Sequence, residues 1–141
     1  MTVLRASELT VGQTFKTVVV EDLKRTQIVQ YAGASGDYNP LHTDEVYAMK
    51  IAGYPSVLAH GMLTMGLTGQ AVTALAGTEN LMRLGVRFTA QVWPGDTLTV
   101  RATVAAITAG NDGAVAEFSL STVNADGKEV MSGYAHARLA D

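Results

Sequence analysis

Between Gly61 and Ala76 the chain carries a helix that can be buried on almost every side. Met62, Leu63, Met65, Leu67, Ala71, Val72, Leu75 and Ala76 spread apolar groups around most of its circumference. A helix apolar all round belongs in an interior rather than half-exposed at a surface. Gly66 and Gly69 each cost about 1 kcal/mol of helix propensity against Ala, a loss that close approach of another backbone or a ligand would offset. A different period follows. Leu84, Val86, Phe88, Ala90 and Val92 alternate with Gly85, Arg87, Thr89 and Gln91, so a strand with a core face is expected over 84–92. Pro94-Gly95-Asp96 turns the chain, and Leu98, Val100, Ala102, Val104 and Ala106 repeat the alternation. Gly110-Asn111-Asp112-Gly113 and Asp126-Gly127 mark two more turns, bounding strands over 114–123 and 129–139. Upstream, the β-branched stretch 14–21 reads as a strand. Residues 25–33 read as a helix with Ile28, Tyr31 and Ala32 on its buried face. Helices early and antiparallel strands late argue an α+β domain, a sheet wrapped around one central helix.

With 141 residues, the chain suffices for one domain, 1–141, around one core. Ten Lys and Arg against thirteen Asp and Glu give a formal charge of −3. No basic stripe is visible along the sequence, so nucleic acid is not an expected partner. The absence of Cys removes disulfides, thiolate nucleophiles and Cys-based zinc sites together. The first residues show neither a basic leader nor an apolar run, and no segment reads as a lipid-spanning helix. A cytoplasmic protein, with no membrane partner, is the expectation. Hydrophobic residues reach 48% and charged residues only 16%, which hints at surface covered by another subunit.

The chemistry-bearing stretch is Ser35-Gly36-Asp37-Tyr38-Asn39-Pro40-Leu41-His42. Asp37 and His42 would lie roughly 140° apart on a continuous helix. Pro40 fixes its own φ and pushes Asn39 out of the helical region. The chain can then curl so that carboxylate and imidazole face one point, a compact acid–base device. Thr43 is the expected N-cap of a short helix beyond, with Asp44 and Glu45 in its first turn and Gly53-Tyr54-Pro55 at its end. The bland alternative is that Asp37 caps a turn and His42 opens a helix. Asp37, His42, Asp44 and His60 show no recognised metal-ligand spacing, and no metal is expected.

That loop, with Ala59-His60-Gly61-Met62, Arg87-Phe88-Thr89-Ala90 and Pro94-Gly95-Asp96, resembles the signature of the MaoC-like dehydratases, the (R)-specific enoyl-thioester hydratases. The run from Ala59 to Gly66 is similar to the catalytic subunit of the heterodimeric dehydratases of bacterial type II fatty-acid synthesis. Ala34 departs from the pattern, standing where the family more often has a larger aliphatic residue. The resemblance implies a hot-dog fold and a hydro-lyase acting on enoyl and (R)-3-hydroxyacyl thioesters. It implies no cofactor beyond the coenzyme A or acyl-carrier pantetheine of the substrate.

Carried over residue by residue, it makes Asp37 and His42 the pair that handles the reacting water. Gly61, at the start of the apolar helix, becomes the N–H donor to the thioester oxygen. Ser35, Asn39, His60, Met62, Met65 and Arg87 are expected around the substrate, Asn39 as a brace, His60 bonding loop backbone, and Met62 and Met65 along the acyl chain. Lys50, Arg83, Arg87 and Arg101 are the available cations for carrier phosphates, and His136 has no partner in view. A homodimer, or the catalytic half of a heterodimer, is the implied assembly. Two other functions fit the same architecture: a hot-dog acyl-CoA thioesterase, and a non-catalytic subunit that only binds the acyl thioester. The Asp-x-Asn-Pro-x-His loop counts against the first, and the presence of both Asp37 and His42 against the second.

Overall fold

The computed structural model describes residues 3–140, so Met1, Thr2 and Asp141 of the expected domain lie outside the described residues. Five strands form one antiparallel sheet: β1 (Thr14–Val20), β2 (Leu81–Phe88), β3 (Leu98–Gly110), β4 (Gly113–Val123) and β5 (Glu129–Leu139), in the order β1-β3-β4-β5-β2. Two α-helices accompany them, α1 (Arg25–Ser35) and α2 (Gly61–Ala76), with a π-helical turn at Tyr47–Ile51. No described helix is long and apolar enough to cross a membrane.

Alternation decides which face of the sheet α2 covers. Leu98, Val100, Ala102 and Val104 of β3 are buried, while Arg101 between them is exposed. On the inner face Val72 and Ala76 of α2 pack with Ala102, Val104, Phe118, Leu120, Ala135 and Ala137. A second cluster joins Leu63 and Leu67 of α2 to Ile28 of α1, Leu98 and Val130. One buried hydrogen bond ties helix to sheet, between the Thr68 and Thr122 hydroxyls at 2.7 Å. Buried hydroxyls need such a partner.

The structure departs from the sequence expectations in several places. Helix α2 is not covered all round. Met62, Gly66 and Gln70, one turn apart, form an exposed stripe. At Gly69 a Cβ would meet the Leu84 side chain at 3.3 Å, whereas Gly66 faces open space, so neither shows the approach of another backbone expected of both. The alternation over 84–92 overruns its strand. β2 ends at Phe88, and the N–H groups of Thr89 and Ala90 both turn to the Val130 carbonyl. The pleat is lost there, and Phe88, expected in the core, is half-exposed. Asp44 rather than Thr43 caps the short helical segment, its carboxylate accepting from the Tyr47 N–H at 3.1 Å. Ala34 is exposed and has no packing role behind the loop.

The sheet also assembles a basic stripe that the linear order hides. Lys16, Arg101, Ser121, Ser132 and Arg87 stand directly opposite one another in a row across all five strands.

Candidate active site

Helix α1 ends where Gly36 takes a left-handed conformation, φ 75°, which costs Gly little and other residues more. The chain then folds through three side-chain-to-backbone bonds. The Ser35 hydroxyl accepts from the Asp37 N–H (3.1 Å), Asp37 Oδ1 from the Asn39 N–H (3.2 Å), and Asn39 Oδ1 from the Leu41 N–H (3.0 Å). Each Asx-type bond fixes a turn in place of helix. With Oδ1 so engaged, Asp37 Oδ2 lies 3.9 Å from His42 Nε2.

His42 is held from behind. Its Nδ1 lies 2.7 Å from the Leu58 carbonyl. A carbonyl only accepts, so Nδ1 carries a proton, and in the neutral ring Nε2 presents its lone pair towards Asp37. The His42 side chain is 11% exposed and that of Asp37 52%, so the pair spans the boundary between interior and solvent.

His60 joins the two. Its ring stacks on that of His42, centroids 3.7 Å apart and planes 24° apart, and meets the edge of Tyr31 at 4.8 Å. Its Nε2–H donates to the Asp37 carbonyl at 3.1 Å, while buried Nδ1 has no partner among the described residues. Burial lowers the His60 pKa from the ordinary 6.5, and the neighbouring His42 adds to this. The Asp37 carbonyl and carboxylate act in the opposite sense. His60 is therefore neutral in the working protein. An unfolded His60 takes up a proton more readily than the folded one, so folding stability is complete above about pH 6.5 and falls as pH drops below it. We expect the melting temperature to decline through that window, and the decline to be shallower in His60→Phe; an equal slope in both proteins would contradict the assignment.

One potential ligand atom from each of Asp37, His42 and His60 lies within 4.8 Å of the others. The nearly parallel rings aim their in-plane lone pairs alongside each other rather than at one point. That geometry suits proton handling better than tetrahedral coordination.

Beside the cluster opens α2. The Leu63 and Thr64 N–H groups turn back to the His60 carbonyl. Those of Gly61 and Met62 have no acceptor among the described residues, as the first turn of a helix dictates. A cavity of about 390 Å³ lies against this end, lined by Leu58, Gly61, Thr64, Phe88 and Val92 among others. Leu58 belongs to both places, its carbonyl on His42 and its side in the cavity wall. The end of β2, where the expected strand gives out, supplies the wall opposite Gly61.

The sequence-derived residues thus divide. Ser35, Asp37, Asn39, His42, His60 and Gly61 fall on one loop and the helix mouth it meets. Met65 is half-buried on α2 and Met62 is exposed beside Gly61. Arg87 lies on the outer face of the sheet, in a separate hollow of about 490 Å³ with Ser121, Ser132 and Tyr134. Arg83 and Arg101 share that face, and His136 lies there 5.5 Å from Tyr134. Phe88 and Leu58 were not anticipated as cavity walls. The early end of β2 could not be read from its alternation, and Leu58 carries no motif.

Fold and site together define a hot-dog domain with an acid–imidazole pair set before the mouth of its long helix. The chain belongs to the MaoC-like family: residues 6–125 match the family described as MaoC like domain. Among its relatives is 3-hydroxyacyl-thioester dehydratase Y of Mycobacterium tuberculosis (strain ATCC 25618 / H37Rv), 39% identical over 97 residues, which covers 61% of this chain and 33% of the relative. The chain spans about a third or less of the curated relatives it first matches. Two solved structures are similar over most of their length. The unliganded R-hydratase PhaJ1 from Pseudomonas aeruginosa superposes with TM-score 0.82 at 28% identity, covering 96% of this chain and 85% of that one. The (R)-hydratase from A. caviae involved in PHA biosynthesis gives 0.81 at 25%, covering 95% and 99%.

Proposed function

We propose that the protein is an (R)-specific enoyl-thioester hydratase, equally a (R)-3-hydroxyacyl-thioester dehydratase. The single observation that carries this reading is the pair of acceptors, Asp37 Oδ2 and His42 Nε2, 3.9 Å apart on two residues that both touch His60, the residue before Gly61, whose amide has no acceptor among the described residues. The distance is long for a direct bond and suits one water donating a hydrogen to each. The water's lone pairs then point away from the protein, towards C3 of an enoyl group in the cavity. As the C3–O bond forms, the pair takes a proton from the water. Charge moves to the thioester oxygen, where the Gly61 N–H and the positive helix end stabilise it. A proton returned to C2 completes the addition and restores the pair, His42 helping to deliver it. Asn39 and Ser35 hold the loop in shape, and His60 fixes the plane of His42.

The named relatives are dehydratases and hydratases, which supports this reaction class. No cofactor enters these steps; coenzyme A or a carrier pantetheine arrives with the substrate. The exposed stripe Met62, Gly66 and Gln70, with half-exposed Met82 and Phe88 on edge strand β2, suits a second subunit, identical or a sister chain. The test follows an enoyl thioester in two channels, loss of the conjugated absorbance and release of free thiol. Loss of absorbance without thiol is expected. Thiol released faster than the alkene disappears would make the protein a thioesterase, and binding without either change would make it a carrier subunit.

A further inference from the structure

The outer face of the sheet, away from α2, carries charge out of proportion to the chain. Lys16, Arg101 and Arg87 stand in one cross-strand row, and Arg83 and Arg138 lie on the same face, in register with the strands beside them. That is five of the ten Lys and Arg in the sequence. Among the described residues only two acids share the face: Glu117 opposite His136, and Glu129, which accepts from the Ser121 hydroxyl at 2.6 Å. Elsewhere the described residues hold five cations against ten anions, so the molecule is strongly polarised. All five cations are exposed. None forms an ion pair among the described residues, and Arg83 only leans over the Tyr134 ring, 5.6 Å from its centroid.

Exposed cations usually gain little from isolated neutralisation, but a field of one sign steers an oppositely charged partner. We propose that this face docks an acidic carrier protein, the acidic side of one of its helices lying across the sheet. The inference rests on the thioester reading above, and names the form in which the substrate arrives.

The dimensions favour a protein. Four strand spacings separate Lys16 from Arg87, about 19 Å, and four residues along β2 separate Arg83 from Arg87, about 13 Å. That frame matches the roughly 10–12 Å width of a helix with its side chains and exceeds what one phosphate cluster spans. A second copy is disfavoured on this face, because two-fold pairing would set five cations against five. Nucleic acid is disfavoured by the net negative charge of the whole chain and by the want of stacking rings. The two rings on the face among the described residues, Tyr134 and His136, are engaged with their neighbours: Tyr134 lies over Gly85, where an added Cβ would collide with it, and His136 is tilted against Tyr134 with ring centroids 5.5 Å apart. The face also borders the cavity: Arg87 is on the outer side of β2, and the next residue, Phe88, is in the cavity wall.

The experiment uses the double variant Lys16→Glu/Arg138→Glu. Both residues are exposed on the outer face, and neither is assigned to the reaction or to the carrier phosphates. The same enoyl group is offered on coenzyme A and on an acidic acyl carrier protein. Separately, binding of the carrier protein bearing a saturated acyl group is measured at low and high salt, with circular dichroism confirming the fold. We expect KM for the carrier-borne substrate to rise about tenfold, carrier binding to weaken and lose its salt dependence, and both constants for the coenzyme A substrate to stay unchanged. Unaltered carrier binding and KM overturn the proposal, as does an equal loss on both substrates. Salt-dependent binding of a single-stranded oligonucleotide, abolished in the variant while carrier binding persists, also overturns it. Charge-dependent carrier binding by a wild-type protein that hydrates neither thioester would leave this face standing and remove the hydratase reading.

Discussion

Asp37→Asn lowers kcat for enoyl-thioester hydration by about 10²–10⁴, the usual worth of a positioned acid–base group, while the protein melts within a few degrees of the wild type. The substitution keeps the shape of the side chain. Its oxygen can still accept from the Asn39 N–H, the bond Asp37 Oδ1 makes at 3.2 Å, so the loop keeps its turn. Since the carboxylate is half-exposed, the stability change stays within about 0.5 kcal/mol, as for other surface substitutions. What is lost is a base. An amide facing His42 either donates to Nε2, displacing the water, or offers an oxygen too weakly basic to take its proton. Steady-state kinetics with a thermal melt separates the two effects. An Asp37→Asn protein of wild-type activity would contradict the mechanism.

Gly61→Ala acts on the other side of the reacting bond and lowers kcat/KM by about 10²–10³, the cost of one oxyanion donor. An added Cβ would sit 3.1 Å from the Phe88 ring, so the methyl projects into the cavity beside the amide that the thioester oxygen needs. Folding should survive. Gly61 does not adopt a positive φ, Ala suits a helix better than Gly, and half-exposed Phe88 has room to shift. A melting temperature at or above that of the wild type with depressed kcat/KM is the expected combination. Equal activity in the two proteins would remove the Gly61 amide from the mechanism.

Local chemistry made much of this legible in the sequence. The C-terminal end of α2 follows from where apolar residues give way at Gly77, β3 from its alternation, and β4 and β5 from the glycine turns that bound them. The Asp37–His42 loop announced itself because Asn-Pro and Gly-Asp steps impose turns whatever surrounds them. Failures arose where distant segments decide. Alternation ran on to Val92 although the partner β5 stops offering its ladder near Val130, so β2 ends early and its tail becomes cavity wall. Thr43 and Asp44 are both good caps, and only the direction of the entering chain selects Asp44. The His42–His60 stack and the row from Lys16 to Arg87 join residues far apart in sequence. Cross-strand register creates the latter, and no window along the chain contains it. The exposed stripe on α2 has another origin, since a long helix that leaves Met62 facing solvent in one chain points to a surface that a single sequence leaves unspecified.

The configuration at C3 of the alcohol formed in the hydration assay tests the central claim most directly. A water held by Asp37 and His42, with the thioester oxygen at Gly61, can reach only one face of the alkene, so one enantiomer is predicted, and the likeness to R-hydratases makes it the (R)-3-hydroxyacyl thioester. Formation of the (S) alcohol, or of both in equal measure, would show that the water is delivered from somewhere else.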